Sequence, residues 1–526
     1  MGKRSIFGAG LRLSGLTLIS RVLGLIREMT KAAFMGTTYL ADAFSVAFMI
    51  PNLFRRLFAE NSMSVAFIPT FRDYLERDDN REETENFLSA TLTFLSFLTA
   101  LVVVLGIIFA PVIVPIFSKS DAAALIFETG LLTRMMFPYL FLISIAAFFQ
   151  GILNTVKIFS PSGFTPILFN IIVISATYIL APRMANPARA MAVGVVVGGT
   201  VQAAFQLPFV LKQKFRFGFC SLKKAFSNDG TKKIIRLVGP TIIGMAAYQL
   251  NDIVSTALAG KAGEGVISSL QYSLRLQELI LGIFAVSIGT VILPDLTAAA
   301  KKNLREDFSA LLLNGIKLIS LVTIPITFFA LTFGREIIIL IFRGHQFTDE
   351  SVALTLSAFR FHIAGLFFIA LNRVIAPSFY ACEDTKSPTV AGIISFVVNM
   401  ILAAVLVGPF KGGGIALSLS VAGLVNTIFL FVFMRRSQTV SVKKILGSSL
   451  VYLVKIFVFS VIATIPLCFL RPILLKVFAG SVNVVSFGIP LVISGIVFAL
   501  LGVFLLVITR DSLLFSVVRR RGRGTK

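Results

Sequence analysis

The chain has 526 residues, of which 56% belong to the hydrophobic set and only 14% are charged. A water-soluble domain must keep charged surface in solvent, so this composition excludes an ordinary soluble protein and makes the bilayer the solvent. The net charge of +24 does not point to nucleic acid, because the basic residues sit mostly between apolar spans and not on a folded soluble surface.

Apolar stretches long enough to cross about 30 Å of hydrocarbon recur from end to end. In chain order they are predicted near 12–35, 40–71, 87–117, 124–155, 161–181, 188–211, 235–260, 266–299, 308–341, 352–381, 387–408, 413–434, 446–470 and 485–508. The chain is therefore an all-α polytopic membrane protein with about fourteen transmembrane helices. Lys3 and Arg4 precede the first span, but Arg12 interrupts it and no small-residue cleavage site follows, so no removable signal peptide is expected.

Lys and Arg concentrate in alternate loops, which is the positive-inside signal. The richest loop carries Lys212, Lys214, Arg216, Lys223, Lys224, Lys232, Lys233 and Arg236, and the basic tail from Arg519 to Lys526 falls on the same side. Both termini are then cytoplasmic. Cys220, Cys382 and Cys468 are odd in number and scattered, which excludes a disulfide framework or thiolate metal site, and His345 and His362 fit no metal motif.

The first span holds Ser14, Ser20, Arg21, Arg27 and Glu28. On a helix Arg21 and Arg27 lie about 120° apart and roughly 9 Å along the axis, which suits one wide cavity better than a lipid-facing stripe. The second span holds Asp42, Pro51-Asn-Leu-Phe-Arg-Arg56 and Glu60, and its Pro51 and Pro69 predict a broken or kinked helix. Arg275 and Glu278 sit in the eighth span.

Charges inside a membrane are expensive and usually face a cavity or a partner. Ion pairing offers one account: Arg56 with Glu60, Arg275 with Glu278, and Arg27 with Asp42. Yet Arg21, Arg27, Arg55, Arg56 and Arg275 outnumber Glu28, Asp42, Glu60 and Glu278, leaving guanidinium to meet something anionic. Arginine suits a diphosphate because its planar fork offers two parallel donors and stays charged when buried. Arg134, Arg360 and Arg373 fit snorkelling or interfacial pairing better.

Two short motifs recur. Ala66-Phe-Ile-Pro-Thr-Phe71 ends the second span as Val291-Ile-Leu-Pro-Asp-Leu296 ends the eighth, and Phe159-Ser-Pro161 with Asn170 matches Lys386-Ser-Pro388 with Asn399. Both pairs fall at cytoplasmic ends, so the repeat is parallel. The expected organisation is an N-lobe (1–211), a basic cytoplasmic loop (212–234), a C-lobe (235–434), two further helices (435–510) and a basic tail (511–526). Gly194 to Gly199 and Gly412-Gly-Gly414 lack the Lys-Ser/Thr of a phosphate-binding loop and read as close helix contacts or a turn. With no nucleotide site, the energy source must be an ion gradient, the membrane potential or the substrate gradient.

At Ser20-Arg-Val-Leu-Gly-Leu-Ile-Arg27, Ala41-Asp-Ala-Phe44 and Pro51-Asn-Leu-Phe-Arg-Arg-Leu-Phe-Ala-Glu60 the sequence resembles the MurJ (MviN) family, bacterial lipid II flippases of the MOP transporter superfamily. Phe149-Gln-Gly-Ile-Leu-Asn154, Gly289-Thr-Val-Ile-Leu-Pro294 and Phe379-Tyr-Ala-Cys-Glu-Asp-Thr-Lys-Ser-Pro388 extend the resemblance over nearly the whole chain. It implies a non-enzymatic transporter in the bacterial cytoplasmic membrane with lipid II as substrate, the phospholipid bilayer around it and cell-wall synthesis proteins as candidate partners. Arg21, Arg27, Asp42, Arg55, Arg56, Glu60 and Arg275 are the expected substrate-binding set, in a cationic central cavity. The last two helices would form the groove for the lipid tail.

Some positions depart from the family pattern: Leu274 stands where an acid often precedes the arginine, and Ile280 where a proline is usual. The cation site of some relatives maps here to Ser255, with Asp252 one turn earlier, and to Asn399. Replacement of the acid by Ser255 argues against sodium coupling, and no cofactor is expected. The rival readings are an exporter of another polyprenyl-linked saccharide and a MATE-like drug antiporter. The antiporter would want acids and aromatics at its centre, and this chain offers arginines and no Trp.

Overall fold

The computed structural model describes residues 3–60, 63–76, 81–118, 122–283, 285–302, 304–435, 442–480 and 482–515, with side chains from Gly15 onward except at 58–60, 64, 240–248, 283 and 285–291. The basic tail from Arg519 to Lys526 and the side chain of Glu60 lie outside these. All regular elements among the described residues are helices. Nine helical segments are long and apolar enough to cross a membrane, and Asp349–Ala364 with Leu366–Ala381, bent by 43°, makes a tenth when the pair is counted as one span. The remaining predicted crossings are the first, second, seventh and eighth. They too are helical, but they are interrupted or carry charges, and they hold every candidate substrate residue.

Packing divides the chain into two units, Met1–Ser268 with Gly344–Gln346, and Ser269–Arg343 with Phe347–Lys526. The first contains α1 (Lys3–Met35), α2 (Tyr39–Phe54), π-turns at Arg55–Glu60 and Met63–Phe67, α3 (Ile68–Glu76), α4 (Arg81–Ile113), α5 (Ala123–Met136), α6 (Pro138–Thr155), α7 (Ser160–Leu180), α8 (Pro187–Leu211), α9 (Leu222–Ser227) and α10 (Asp229–Ala262). Sequence reading put α10 at the start of the second lobe, and the structure instead packs it with α4, α9 and the Met63–Phe67 turn. The physical reason is close fit: Gly260 of α10 lies so near the Phe117 carbonyl that a Cβ would collide with it.

The core of this unit is aromatic. Phe67, Phe71, Phe87 and Phe148 are fully buried, and Phe67 stacks on Phe87 with ring centres 5.8 Å apart. The basic loop after α8 runs extended along α4. The N–H groups of Arg216, Gly218 and Cys220 donate to Glu85 Oε1 (3.1 Å), Ser89 Oγ (3.2 Å) and Thr93 Oγ1 (2.9 Å). Four helical residues rise about 6 Å, and two extended residues advance about the same. The two ladders therefore stay in step, while Phe215 packs on Phe71 and Phe217 on Phe148.

The second unit contains most of α11 (Val266–Ile283), then α12 (Ala285–Lys301), α13 (Arg305–Thr332), α14 (Gly334–Phe342), α15 (Asp349–Ala364), α16 (Leu366–Ala381), α17 (Lys386–Phe410), α18 (Gly412–Met434), α19 (Val442–Val477) and α20 (Ile489–Ile508). Its most closely packed pair is α17 with α18, as α7 with α8 is in the first unit, which matches the internal repeat. Helices α7 and α17 open on the repeated Ser-Pro, and the repeated Asn170 and Asn399 are both buried.

The bend between α15 and α16 falls at Gly365, where a Cβ would run into Ser420 of α18. The Ser420 hydroxyl donates to the Phe361 carbonyl at 2.6 Å, satisfying backbone loosened by the bend. Gly365→Val is expected to cost about 1–3 kcal/mol by overpacking this joint, seen as a lower midpoint in thermal unfolding of the detergent-solubilised chain.

Candidate functional site

The first cluster of candidate residues lies in the first unit, on α1 and the helices packed against it. Arg21 is half-buried and has no side-chain partner among the described residues. One residue earlier, the Ser20 carbonyl accepts from Asn170 Nδ2 of α7 at 3.4 Å, which ties the two helices together beside Arg21.

Arg27 sits between Phe48 of α2 and Phe169 of α7, its guanidinium carbon 5.7 and 5.8 Å from the ring centres. Its Nη2 donates to Glu28 Oε1 at 3.1 Å. The other oxygen of Glu28 lies 2.9 Å from Lys31 Nζ, and Lys31 also donates to Ser45 Oγ at 3.3 Å. The Lys31 side chain is 2% exposed and that of Arg27 is 18%, so Arg27 is the open end of the cluster and Lys31 the closed end. Sequence reading missed Lys31. The available signal was its spacing, since residues four apart share a helix face and Lys31 stands one turn after Arg27.

Asp42 has both oxygens taken by backbone. Oδ2 accepts from Gly265 N–H at 2.7 Å and Oδ1 from Ser268 N–H at 2.8 Å, so the carboxylate caps the start of α11 from a neighbouring helix. Gly265 takes φ +77°, and a Cβ there would strike Thr37. The Arg27–Asp42 ion pair, the structural alternative that sequence offered, does not form. Arg27 pairs with Glu28 instead.

Pro51 interrupts α2 as expected, and the helix passes into the π-turn Arg55–Glu60. Arg55 Nε donates to Asn52 Oδ1 at 2.8 Å. Arg56 reaches α10, with Nη1 3.4 Å from Gln249 Oε1 and 3.5 Å from Asp252 Oδ2. The π-turn thus separates two adjacent arginines, Arg55 facing back along its own segment and Arg56 facing α10. Glu60 belongs to the same turn.

In the second unit, Arg275 Nη1 lies 3.5 Å from Glu278 Oε2, the i,i+3 pairing read from sequence. The opposite face of α11 is anchored on α15. Ser273 Oγ is 2.6 Å from His362 Nδ1, and Gln277 donates to the His362 carbonyl. The three candidate cation residues do not share a unit. Asp252 and Ser255 are on α10 of the first, with Arg56 beside Asp252, and Asn399 is buried in α17 of the second. Among the described residues no three His, Cys, Asp or Glu side chains form a metal-binding group.

A cavity of about 610 Å³ lies within the second unit, lined by apolar side chains including Leu276 and Ile280 of α11, Phe329 of α13, Ile456 of α19 and Phe498 of α20. Ion pairs pin α19 at either end of it: Lys455 Nζ to Asp511 Oδ2 at 2.7 Å, and Arg471 Nη2 to Glu336 Oε1 at 2.6 Å. Ile280, the departure from the usual proline, forms part of its wall.

The family model described as lipid II flippase MurJ matches residues 31–509. The chain belongs to the lipid II flippase MurJ family. The chain is 47% identical over 522 residues to the probable lipid II flippase MurJ of Treponema pallidum (strain Nichols), covering 98% of each. A solved structure of a MurJ flippase in an inward closed conformation superposes with a TM-score of 0.76 at 25% identity, covering 95% of this chain and 99% of that one. An inward-facing MATE family multidrug resistance transporter of the MOP superfamily aligns with a TM-score of 0.64 at 16% identity, covering 84% of this chain and 99% of that chain, and shares the fold alone.

Proposed function

We propose that this chain moves lipid II, the undecaprenyl-diphosphate-linked peptidoglycan precursor, from the inner to the outer leaflet of the bacterial cytoplasmic membrane by alternating access, with both termini in the cytoplasm. The observation that carries the reading is the arginine-rich set on the polar helices of a chain in this family. Arg27, placed between two aromatic rings, presents donors that replace part of the hydration lost by a diphosphate. Arg21, Arg55, Arg56 and Arg275 supply further positive charge. No covalent step is involved. A negative-inside potential favours outward movement of an anionic head group by about 2.3 kcal/mol per charge per 100 mV. Proteins of cell-wall synthesis are the natural partners on the product side.

The apolar cavity beside α19 and α20 suits the polyprenyl tail. Gly502 lines it and has open space where a Cβ would stand. Gly502→Phe is therefore expected to fill the cavity and lower transport about tenfold, by the loss of roughly 1–2 kcal/mol of apolar burial, while the unfolding midpoint stays put.

The deciding experiment measures externally accessible lipid II in cells depleted of their own flippase and supplied with this chain. Restored surface lipid II supports the assignment. Lipid II retained inside despite correct membrane insertion rejects it in favour of another polyprenyl-linked saccharide.

A further inference from the structure

From the geometry around α1 we infer that Glu28 is a resident counter-ion that competes with the anionic substrate for Arg27 and, by returning to it, drives the substrate off. The inference rests on the flippase reading and adds a residue whose role is release. Glu28 stands between two cations, its Oε1 3.1 Å from Arg27 Nη2 and its Oε2 2.9 Å from Lys31 Nζ. A carboxylate and a phosphate compete for the same guanidinium donors.

The two cations are not equivalent. Arg27 is the less buried of the two, so an incoming diphosphate meets it first. Lys31 is enclosed, and its partner Ser45 is itself fixed by donating to the Ala41 carbonyl at 2.6 Å. When the diphosphate takes Arg27, Glu28 keeps Lys31 and does not become an unpaired buried charge, which would be costly. The two cations therefore allow one anion to be exchanged with little rearrangement. A tethered competitor also acts at high effective concentration, which keeps a strongly cationic site from holding its cargo too tightly.

The test uses the purified full-length chain in nanodiscs of zwitterionic phospholipid, titrated with farnesyl diphosphate and with farnesol, alongside a transport assay. Glu28→Gln is expected to bind farnesyl diphosphate about tenfold more tightly than the wild type and to turn over more slowly, because product leaves late. Lys31→Met, which removes the alternative partner and commits Glu28 to Arg27, is expected to bind it severalfold more weakly. A purely structural role would weaken binding in both variants. Unchanged or weaker binding by Glu28→Gln overturns the inference. If that variant fails to insert, Glu28→Ala takes its place in the same titration, and unchanged or weaker binding of farnesyl diphosphate by it overturns the inference. A wild type that prefers the diphosphate no more than the alcohol instead defeats the flippase reading itself.

Discussion

Arg27→Ala is expected to bring surface lipid II in flippase-depleted cells down to the level of cells given no flippase at all. A charge-assisted hydrogen bond to a diphosphate is worth about 1.5–3 kcal/mol, so losing this donor weakens binding roughly ten- to a hundredfold before any effect on the transport step. Arg27→Lys should recover only part of the loss, because an ammonium offers a point charge where the guanidinium, placed between Phe48 and Phe169, offers a planar fork. The fold should survive the alanine change, since Glu28 keeps its bridge to Lys31. The check is an immunoblot of membrane fractions beside the lipid II assay. Equal rescue by Arg27→Ala and wild type would remove Arg27 from the binding site.

Asp42→Ala is expected to fail for a different reason. Its carboxylate accepts two backbone N–H groups at the start of α11, and deleting it leaves both donors buried without a partner. The cost is about 3 kcal/mol or more, since bonds to a charged group each contribute about 1.5–3 kcal/mol. Asp42→Asn, which retains one carbonyl acceptor, should lose about half as much. Thermal unfolding in detergent reads this directly. A substrate ligand would behave otherwise, with transport lost and the unfolding midpoint unchanged.

That contrast shows where sequence reading reached and where it stopped. The crossings were legible because the bilayer imposes a length and a hydropathy that any window detects, and the repeat was legible because Ser-Pro and a buried asparagine recur in register. Pro51 announced the break in α2, since its chemistry removes a donor wherever it sits. The site residues were legible as a list of charges in expensive places. Their partners were not. Asp42 looked like an ion-pair acid because sequence cannot reveal two backbone donors brought to it from Gly265 and Ser268. Arg56 reaches Asp252 on α10, a partner almost two hundred residues away that sequence spacing does not reveal, while its pairing with Glu60 falls on a side chain outside the described ones. Lys31 escaped notice because it lies near the end of its span, where a lysine ordinarily snorkels to water. The packing of α10 was equally hidden, resting as it does on a backbone approach at Gly260.

The extended loop against α4 constrains how this chain can change over evolutionary time. Donors at alternate residues of the loop meet acceptors at every fourth residue of the helix, so the match behaves like a toothed rack. Losing one residue between Arg216 and Cys220 would turn the remaining N–H groups away from α4 and present the opposite edge of the strand. Losing two would let the rack re-engage one tooth along, with the N–H groups again facing α4. Lengths that differ by an even number of residues are thus the accessible ones. The stretch that composition marks as a plain basic connector has its length quantised by the helix it lies upon.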